Sequence, residues 1–457
     1  MASAVMYCAS KCFCFRLAFI AAALVGAPSR SNAQVIPDAP IIWGTPWNEQ
    51  HVFDPTLVPL LSDPATREVL APEDTPVKSR QWPEYQPSGI RAGAWMFDPT
   101  VTAGGFYDSN IFSSNTNKVS DLAARLDASL RAVSLWDRHG IDLQAATSST
   151  IYREHSDLNQ TDASLKGKGH FDIDHATALL TTFQASYLHE AVGSLTSPAN
   201  AIEPTPYSLL SGDVTLRREF GRFTGSVGTR VDSYDYGSTV AQNGTTINQD
   251  SLDGQIYTAH GRVDYAFSEK SAFFTSLEGN ARRLRGTPDQ SFNSDGYRAL
   301  AGFDLEITHL IKGEFAAGYM NQRFEAASIG TIQGPTYRAM LTWSPSRRLD
   351  IFFRAEQLIT TASDTSLTAI LADAAQLGFD YEIRRNVILS TAVAYERDNF
   401  KGQPRDDNVY VLDARLKYLL NNINSVSLQY RYQRRNSNET EFSYDKHLIG
   451  IMATAQF

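Results

Sequence analysis

From Arg91 to the end, the chain repeats one pattern eighteen times: apolar residues on one parity, charged or polar residues on the other, then a turn. A period of two puts alternate side chains on opposite faces of a strand. In the run from Leu349 to Glu356, the residues Leu349, Ile351, Phe353 and Ala355 share one face, and Asp350, Arg354 and Glu356 share the other. Leu122, Ala124, Leu126, Ala128 and Leu130 stand likewise against Asp121, Arg125, Asp127 and Arg131. A strand that crosses a membrane needs ~9–11 residues with one face toward lipid and one toward a wet interior. The pattern therefore predicts an all-β fold: a transmembrane, up-and-down antiparallel β-barrel of about 18 strands, preceded by a Pro-rich N-terminal extension.

The expected strands cover 92–107, 119–136, 141–152, 161–172, 175–189, 207–220, 222–236, 252–267, 271–284, 296–307, 312–324, 336–343, 347–360, 367–382, 386–398, 408–420, 424–435 and 444–457. Connections alternate in length. Those at Asp137–Gly140, Gly221, Ser268–Lys270, Ser344–Ser346 and Asn421-Asn422 are tight, whereas 108–118, 190–206, 237–251, 285–295 and 399–407 are longer and rich in turn residues. Short periplasmic turns and longer outer loops have this rhythm in outer-membrane barrels. Aromatic residues on the apolar parity gather at strand ends. Trp95, Trp136, Phe220, Phe223, Tyr265, Phe267, Phe273, Trp343, Tyr381 and Tyr418 stand at the short-turn end. Tyr107, Tyr187, Tyr257, Tyr297, Tyr319, Tyr337, Tyr395, Tyr410 and Tyr432 stand near the long loops. Two headgroup levels favour two such belts. Two places fit poorly. Lys166-Gly167-Lys168-Gly169 thins the fourth strand, and Asp373 falls on the lipid parity near mid-strand, where a β-bulge or a register shift near Ala372–Ala375 would move it.

Three regions follow. Residues 1–33 read as a secretory signal: Lys11 and Arg16, the apolar core Leu17–Val25, and small residues Ser31-Asn32-Ala33 before a cleavage point at Gln34. Nine apolar residues are too few for a spanning helix. Cys8, Cys12 and Cys14 all precede that core, so the exported chain has no thiol for a disulfide. Residues 34–90 hold ten of the nineteen prolines, which excludes helices and central strands, yet they carry Trp43, Trp47, Phe53 and Trp82. They form either a periplasmic lead-in or a partial plug. Residues 91–457 form the barrel. The net charge is −9, and removal of Lys11, Arg16 and Arg30 makes it more acidic, which argues against a nucleic-acid partner.

On the polar parity stand Arg125, Asp127, Arg131, Lys166, Lys168, Asp213, Arg217, Arg230, Asp232, Arg262, Asp264, Glu278, Arg282, Arg298, Asp304, Glu306, Arg338, Asp350, Arg354, Glu356, Asp413, Arg415, Lys417 and Arg431. These are the candidate lumen-lining residues. As a set they either screen solutes by size and charge or simply pair and solvate the wall. Tyr234 and Tyr236 point inward near the outer mouth and could stack on sugar rings, without a ladder continuing down the pore. The histidines lack metal-site spacing; His170, Asp172 and His175 are read as a polar turn rather than a metal site. No phosphate loop or nucleophile elbow is present, so no catalytic, cofactor-binding or metal residue is assigned and no enzyme is expected.

The segment Tyr85–Arg91, the run Phe106-Tyr107-Asp108-Ser109-Asn110-Ile111-Phe112 and the closing Thr454-Ala455-Gln456-Phe457 resemble the putative beta-barrel porin 2 family of proteobacterial outer-membrane proteins over roughly residues 80–457. The resemblance implies an outer-membrane barrel and, for some relatives, a part in exopolysaccharide export. The terminal aromatic resembles the signal read by the barrel assembly machinery. The expected function is a porin-like channel for passive diffusion of small hydrated solutes. The alternatives are support of polysaccharide export and, from another class, a lipid hydrolase, for which no Ser–His constellation is found. The expected setting is the outer membrane with a periplasmic N-terminus. The solute, the open or plugged state and the oligomer are not legible.

Overall fold

A computed structural model describes Val77 and residues 82–194, 197–198, 200–285, 292–308, 310–363 and 367–457. The expected signal at 1–33 and most of the Pro-rich segment lie outside the described residues.

Eighteen long strands form the wall. They are β1 (Trp95–Asp108), β2 (Asp121–Ser134), β3 (His139–Tyr152), β4 (Gln160–Asp172), β5 (Thr177–Glu190), β6 (Thr205–Phe220), β7 (Phe223–Tyr236), β8 (Gly254–Ser268) and β9 (Ser271–Leu284). The second half comprises β10 (Ser294–Thr308), β11 (Ile311–Phe324), β12 (Thr331–Ser346), β13 (Leu349–Ser363), β14 (Leu367–Arg384), β15 (Val387–Lys401), β16 (Asp406–Leu419), β17 (Asn424–Ser437) and β18 (Tyr444–Gln456). Each pairs antiparallel with its sequence neighbours, and β18 closes on β1 from Thr100↔Gln456 to Asp108↔Leu448. Closure gives every wall strand a partner on both sides over all or part of its length, as a bilayer demands of a sheet. The Gly-rich β4 is complete from Gln160 to Asp172.

The exterior carries the apolar parity. Leu126, Val227, Leu277 and Ile451 are each more than half exposed, a surface suited to acyl chains rather than water. Both aromatic belts are on this face, with Trp95 against Trp136 at 5.6 Å at the short-turn end and Tyr395 against Tyr410 at 5.3 Å at the other.

The wall strands run 13 to 18 residues, more than the ~9–11 a crossing needs, so their outer ends stand clear of the hydrocarbon. Asp373 belongs to that upper part. The β13–β14 register runs unbroken from Leu349↔Tyr381 to Ser363↔Leu367, so there is no bulge at 372–375, and Asp373 keeps its exterior parity. Its carboxylate accepts hydrogen bonds from the Tyr337 hydroxyl at 3.1 Å and the Gln357 amide at 2.8 Å, at the level of the outer tyrosine belt. The expected bulge is thus replaced by a headgroup-level polar site.

We read two corners of the wall from glycines that let neighbouring backbones approach closely. A Cβ on Gly318 of β11 would run into the carbonyl oxygen of Ala299 on β10, and one on Gly302 of β10 would run into that of Phe315. Gly104 of β1 meets the carbonyl of Ile451 on β18 in the same way. Glycine permits backbones to approach so closely at barrel corners. Inside the second corner Phe106, Ala123, Leu448 and Met452 pack together, with Tyr152 against them.

Candidate functional site

The barrel interior is the candidate site. Residues two apart on a strand share a face, and four interior pairs use that spacing: Arg125–Asp127 at 2.9 Å, Arg217–Glu219 at 3.0 Å, Arg230–Asp232 at 2.9 Å and Arg262–Asp264 at 2.7 Å. Neighbouring strands supply Arg131–Asp142 and Arg431–Asp413, both at 2.5 Å. Glu306 lies between Lys312 at 3.2 Å and Lys270 at 3.7 Å, near the periplasmic turns.

The β10–β11 corner gathers longer-range pairs. Arg298 reaches Glu278 at 3.4 Å and, three strands on, Glu356 at 2.8 Å. Arg262 reaches Glu314 at 2.8 Å while its guanidinium lies 3.7 Å from the centre of the Phe274 ring. Arg338 meets the same Glu314 at 2.7 Å. Charged hydrogen bonds of this kind are the strong ones, and they fix the inner surface of the corner.

The candidate lumen residues thus differ in setting. Arg217, Arg338 and Arg431 are buried within the wall network. Lys166, Lys168 and Arg354 stand on the interior parity and are exposed, while Arg415 and Lys417 are half-buried. Along β17 the interior side chains Gln429, Arg431, Gln433 and Arg435 are all covered. The exposed interior side chains include Gln144, Lys166 and Lys168 along β3 and β4, and Arg354 on β13.

Several features escape a reading by parity. The β12–β13 ladder ends at Arg338↔Glu356, although β13 and β14 remain paired up to Ser363↔Leu367. Above that point the β13–β14 hairpin departs from β12. Ile359 and Leu371, on the exterior parity, pack against a cluster that includes the interior residues Phe324 and Ile332. The carbonyl of Ile359 accepts from Arg282 of β9 at 3.3 Å. The hairpin therefore leans over the outer mouth. Pro335, which offers no N–H to a ladder, lies in the stretch of β12 that has lost β13 as neighbour.

Arg405, in the connection before β16, is buried with Asp407 at 2.5 Å, between the Phe400 ring at 4.2 Å and the Phe442 ring at 3.6 Å. It ties two outer connections to the inner wall. An Arg two residues before an Asp, with aromatics nearby, was a legible signal for it. Tyr236 stacks with Tyr207 at 5.0 Å and with Tyr234 at 6.3 Å, and the apolar cluster around Leu252 packs against it. Its ring surface is taken up by protein. At the foot of the neighbouring loop, burial pushes the Asp253 carboxyl up, although it accepts from the Tyr236 amide at 2.6 Å and faces Arg285 at 2.9 Å. In the β4–β5 turn, the Ala176 amide holds the Asp174 carboxyl below the usual range. His170 pairs with Asp172 at 2.7 Å.

The chain ahead of β1 touches the wall at β13 and β14, at the periplasmic end. The buried Val77 donates its amide to Asp350 of β13. The Trp82 indole donates to Glu382 of β14 at 3.4 Å, and Arg385 in the β14–β15 turn lies 4.4 Å from the Trp82 ring centre and 3.6 Å from Glu84. Asp350 and Glu382 are both interior and buried. From there the chain reaches Ile90–Ala92, which pairs back on the first residues of β1 through a turn at Gly93, φ +61°.

Residues 82–457 match the family described as Putative beta-barrel porin 2. No curated protein matches the chain. Among solved structures it is similar to OpdL of Pseudomonas aeruginosa, with 13% identity over 80% of this chain and 99% of that one and a TM-score of 0.42. It is also similar to OccK2 (OpdF) of the same organism, at 10% identity, 79% and 98% coverage and a TM-score of 0.45. A third is OccAB3 of Acinetobacter baumannii, at 11% identity, 80% and 100% coverage and a TM-score of 0.43.

Proposed function

Because the chain belongs to the Putative beta-barrel porin 2 family, a family of outer-membrane β-barrels, we propose that it is a channel through which small hydrated solutes move passively. The observation that carries this reading is the contrast of the two faces of one closed wall. The exterior exposes Leu126, Val227 and Ile451, whereas the interior exposes Gln144, Lys166 and Lys168. Eighteen strands enclose a lumen wide enough for water and solutes unless something fills it. Reconstitution of the folded protein in planar bilayers tests this directly. Discrete conductance steps are expected, and a folded protein that never conducts contradicts the reading.

We read the segment before β1 as a partial plug rather than a free lead-in. The contacts of Val77 with Asp350 and of Trp82 with Glu382 and Arg385 support this. A variant lacking residues 34–90 then conducts more than the full chain; equal conductance favours the lead-in. Polysaccharide export, the alternative raised by the resemblance, gains nothing from Tyr234 and Tyr236, which stack with each other and with Tyr207. A deletion strain with altered surface polysaccharide would bring that reading back. Nothing among the described residues favours a lipid hydrolase.

A further inference from the structure

The outer end of the seam between β12 and β13 is unzipped. The two strands pair only as far as Arg338↔Glu356, yet β12 stays on β11 up to Arg323↔Thr331 and β13 stays on β14 up to Ser363↔Leu367. Backbone hydrogen bonds of a strand alternate between its two neighbours. Ser344 donates its amide to Leu310, and Glu382 donates its amide to Arg348. Along these unbroken registers the odd-numbered residues of β12 and of β13 therefore turn their backbone groups toward the seam. Above the last pair those are Tyr337 and Pro335 on one lip and Gln357 and Ile359 on the other. Pro335 has no N–H to give, and Gly334 beside it holds φ +156°, so β12 cannot complete the ladder there. The Ile359 carbonyl accepts instead from Arg282 at 3.3 Å.

The seam opens at the level of the outer tyrosine belt, to which Tyr337 belongs. Its exterior carboxylate, Asp373, accepts from Tyr337 and Gln357 and stands opposite Arg397 in the β14–β15 register. The charged side chains just beneath are paired, Arg338 with Glu314 at 2.7 Å and Glu356 with Arg298 at 2.8 Å. Two polar groups at the lips are left over. Among the described residues, the hydroxyl of Thr336, 2% exposed, and the amide oxygen of Gln357 have no hydrogen-bond partner. Behind them lie Phe324, Ile332, Ile359 and Leu371 of the apolar cluster.

We propose that this seam is a lateral portal through which uncharged amphipathic molecules of the outer leaflet, an apolar body with a hydroxyl, amine or amide head, enter the lumen. The onward path rests on the channel reading. An apolar passage with a few convergent polar groups suits such a molecule, whereas an ion would have to shed water there without compensation. Pro335 disfavours an extended peptide added to the lips, since proline blunts a strand edge against pairing.

No cysteine follows Cys14, so a single one can be placed as a target in the reconstituted full chain. Thr336→Cys is exposed to N-dodecylmaleimide dissolved in the lipid. The control is Ser186→Cys, also interior and buried, on a strand paired on both sides at that point. Labelling is expected to be several-fold faster at position 336; equal rates, or no reaction at either position, overturn the portal. Host cells making the wild-type chain are expected to take up the neutral dye N-phenyl-1-naphthylamine several-fold faster than cells lacking it. Thr336→Trp, which fills the opening, should return uptake to that background while single-channel conductance stays. A folded Thr336→Trp protein that passes the dye as fast as wild type also overturns the portal. Conductance without labelling at 336 overturns the portal and leaves the channel standing; labelling without conductance supports the opening and overturns the channel reading.

Discussion

Asp373 is a charge on the greasy parity, and its height on the strand explains why it is tolerated. A charge at mid-bilayer on a barrel's lipid face costs up to a few kcal/mol, but the cost fades toward the interface. There the carboxylate has two donors, Tyr337 and Gln357. Replacing Tyr337 by Phe and Gln357 by Leu together leaves it without them, and we expect a loss of about 2 kcal/mol, read as a lower unfolding temperature in detergent. Stability unchanged from wild type would contradict the assignment. Arg405 lies at the other extreme, buried against Asp407 and between two rings. Removing one partner of a buried pair costs about 3 kcal/mol because the other charge is stranded. Arg405→Ala should therefore destabilise the barrel by that order, even though Arg435 remains 3.8 Å from Asp407. An Arg405→Ala protein that melts with the wild type would rule this out.

Among the elements, the corners decide the lumen's cross-section. Strands β10 and β11 approach so closely that a methyl group on Gly318 has no room, while a Cβ on Gly212, on the lipid face of β6, meets nothing. Overpacking costs about 1–3 kcal/mol or more. Gly318→Ala is expected to lower the yield of folded, heat-modifiable barrel, with Gly212→Ala behaving as wild type. Equal yields would show that the corner is soft. The β13–β14 hairpin is the second such element, since its departure from β12 above Glu356 brings apolar residues of the lipid parity onto the cluster over the outer mouth. Arg282→Ala removes the hydrogen bond that holds Ile359 there, and a noisier, more open channel is the expected result in single-channel recordings. A quiet trace like that of the wild type would argue that packing alone holds the hairpin.

For the whole molecule, the architecture was legible because each strand repeats its two faces on its own, so eighteen independent readings agree. The register of β13 against β14 and the closure of β18 on β1 follow from that parity and from short turns. Strand ends were less legible where local chemistry misleads. The expected strand at 336–343 extends in fact from Thr331 to Ser346, since Gly334 and Pro335 sit where one neighbour is missing and cost the ladder little. What parity cannot show is which interior side chains are covered. Arg338, Arg354 and Arg431 look alike in sequence, but Arg338 and Arg431 are buried in ion pairs with the neighbouring strand, whereas Arg354 is exposed. The latch of Trp82 on Arg385 was equally hidden, because it joins residues three hundred positions apart. Spin labels placed singly at positions 351, 352, 353 and 354 of the reconstituted protein test the central claim most directly, through collision with oxygen dissolved in lipid and with a nickel chelate dissolved in water. The account predicts that positions 351 and 353 collide with oxygen and position 354 with nickel, in strict alternation. Nickel reaching 353 while 354 meets only oxygen would contradict it.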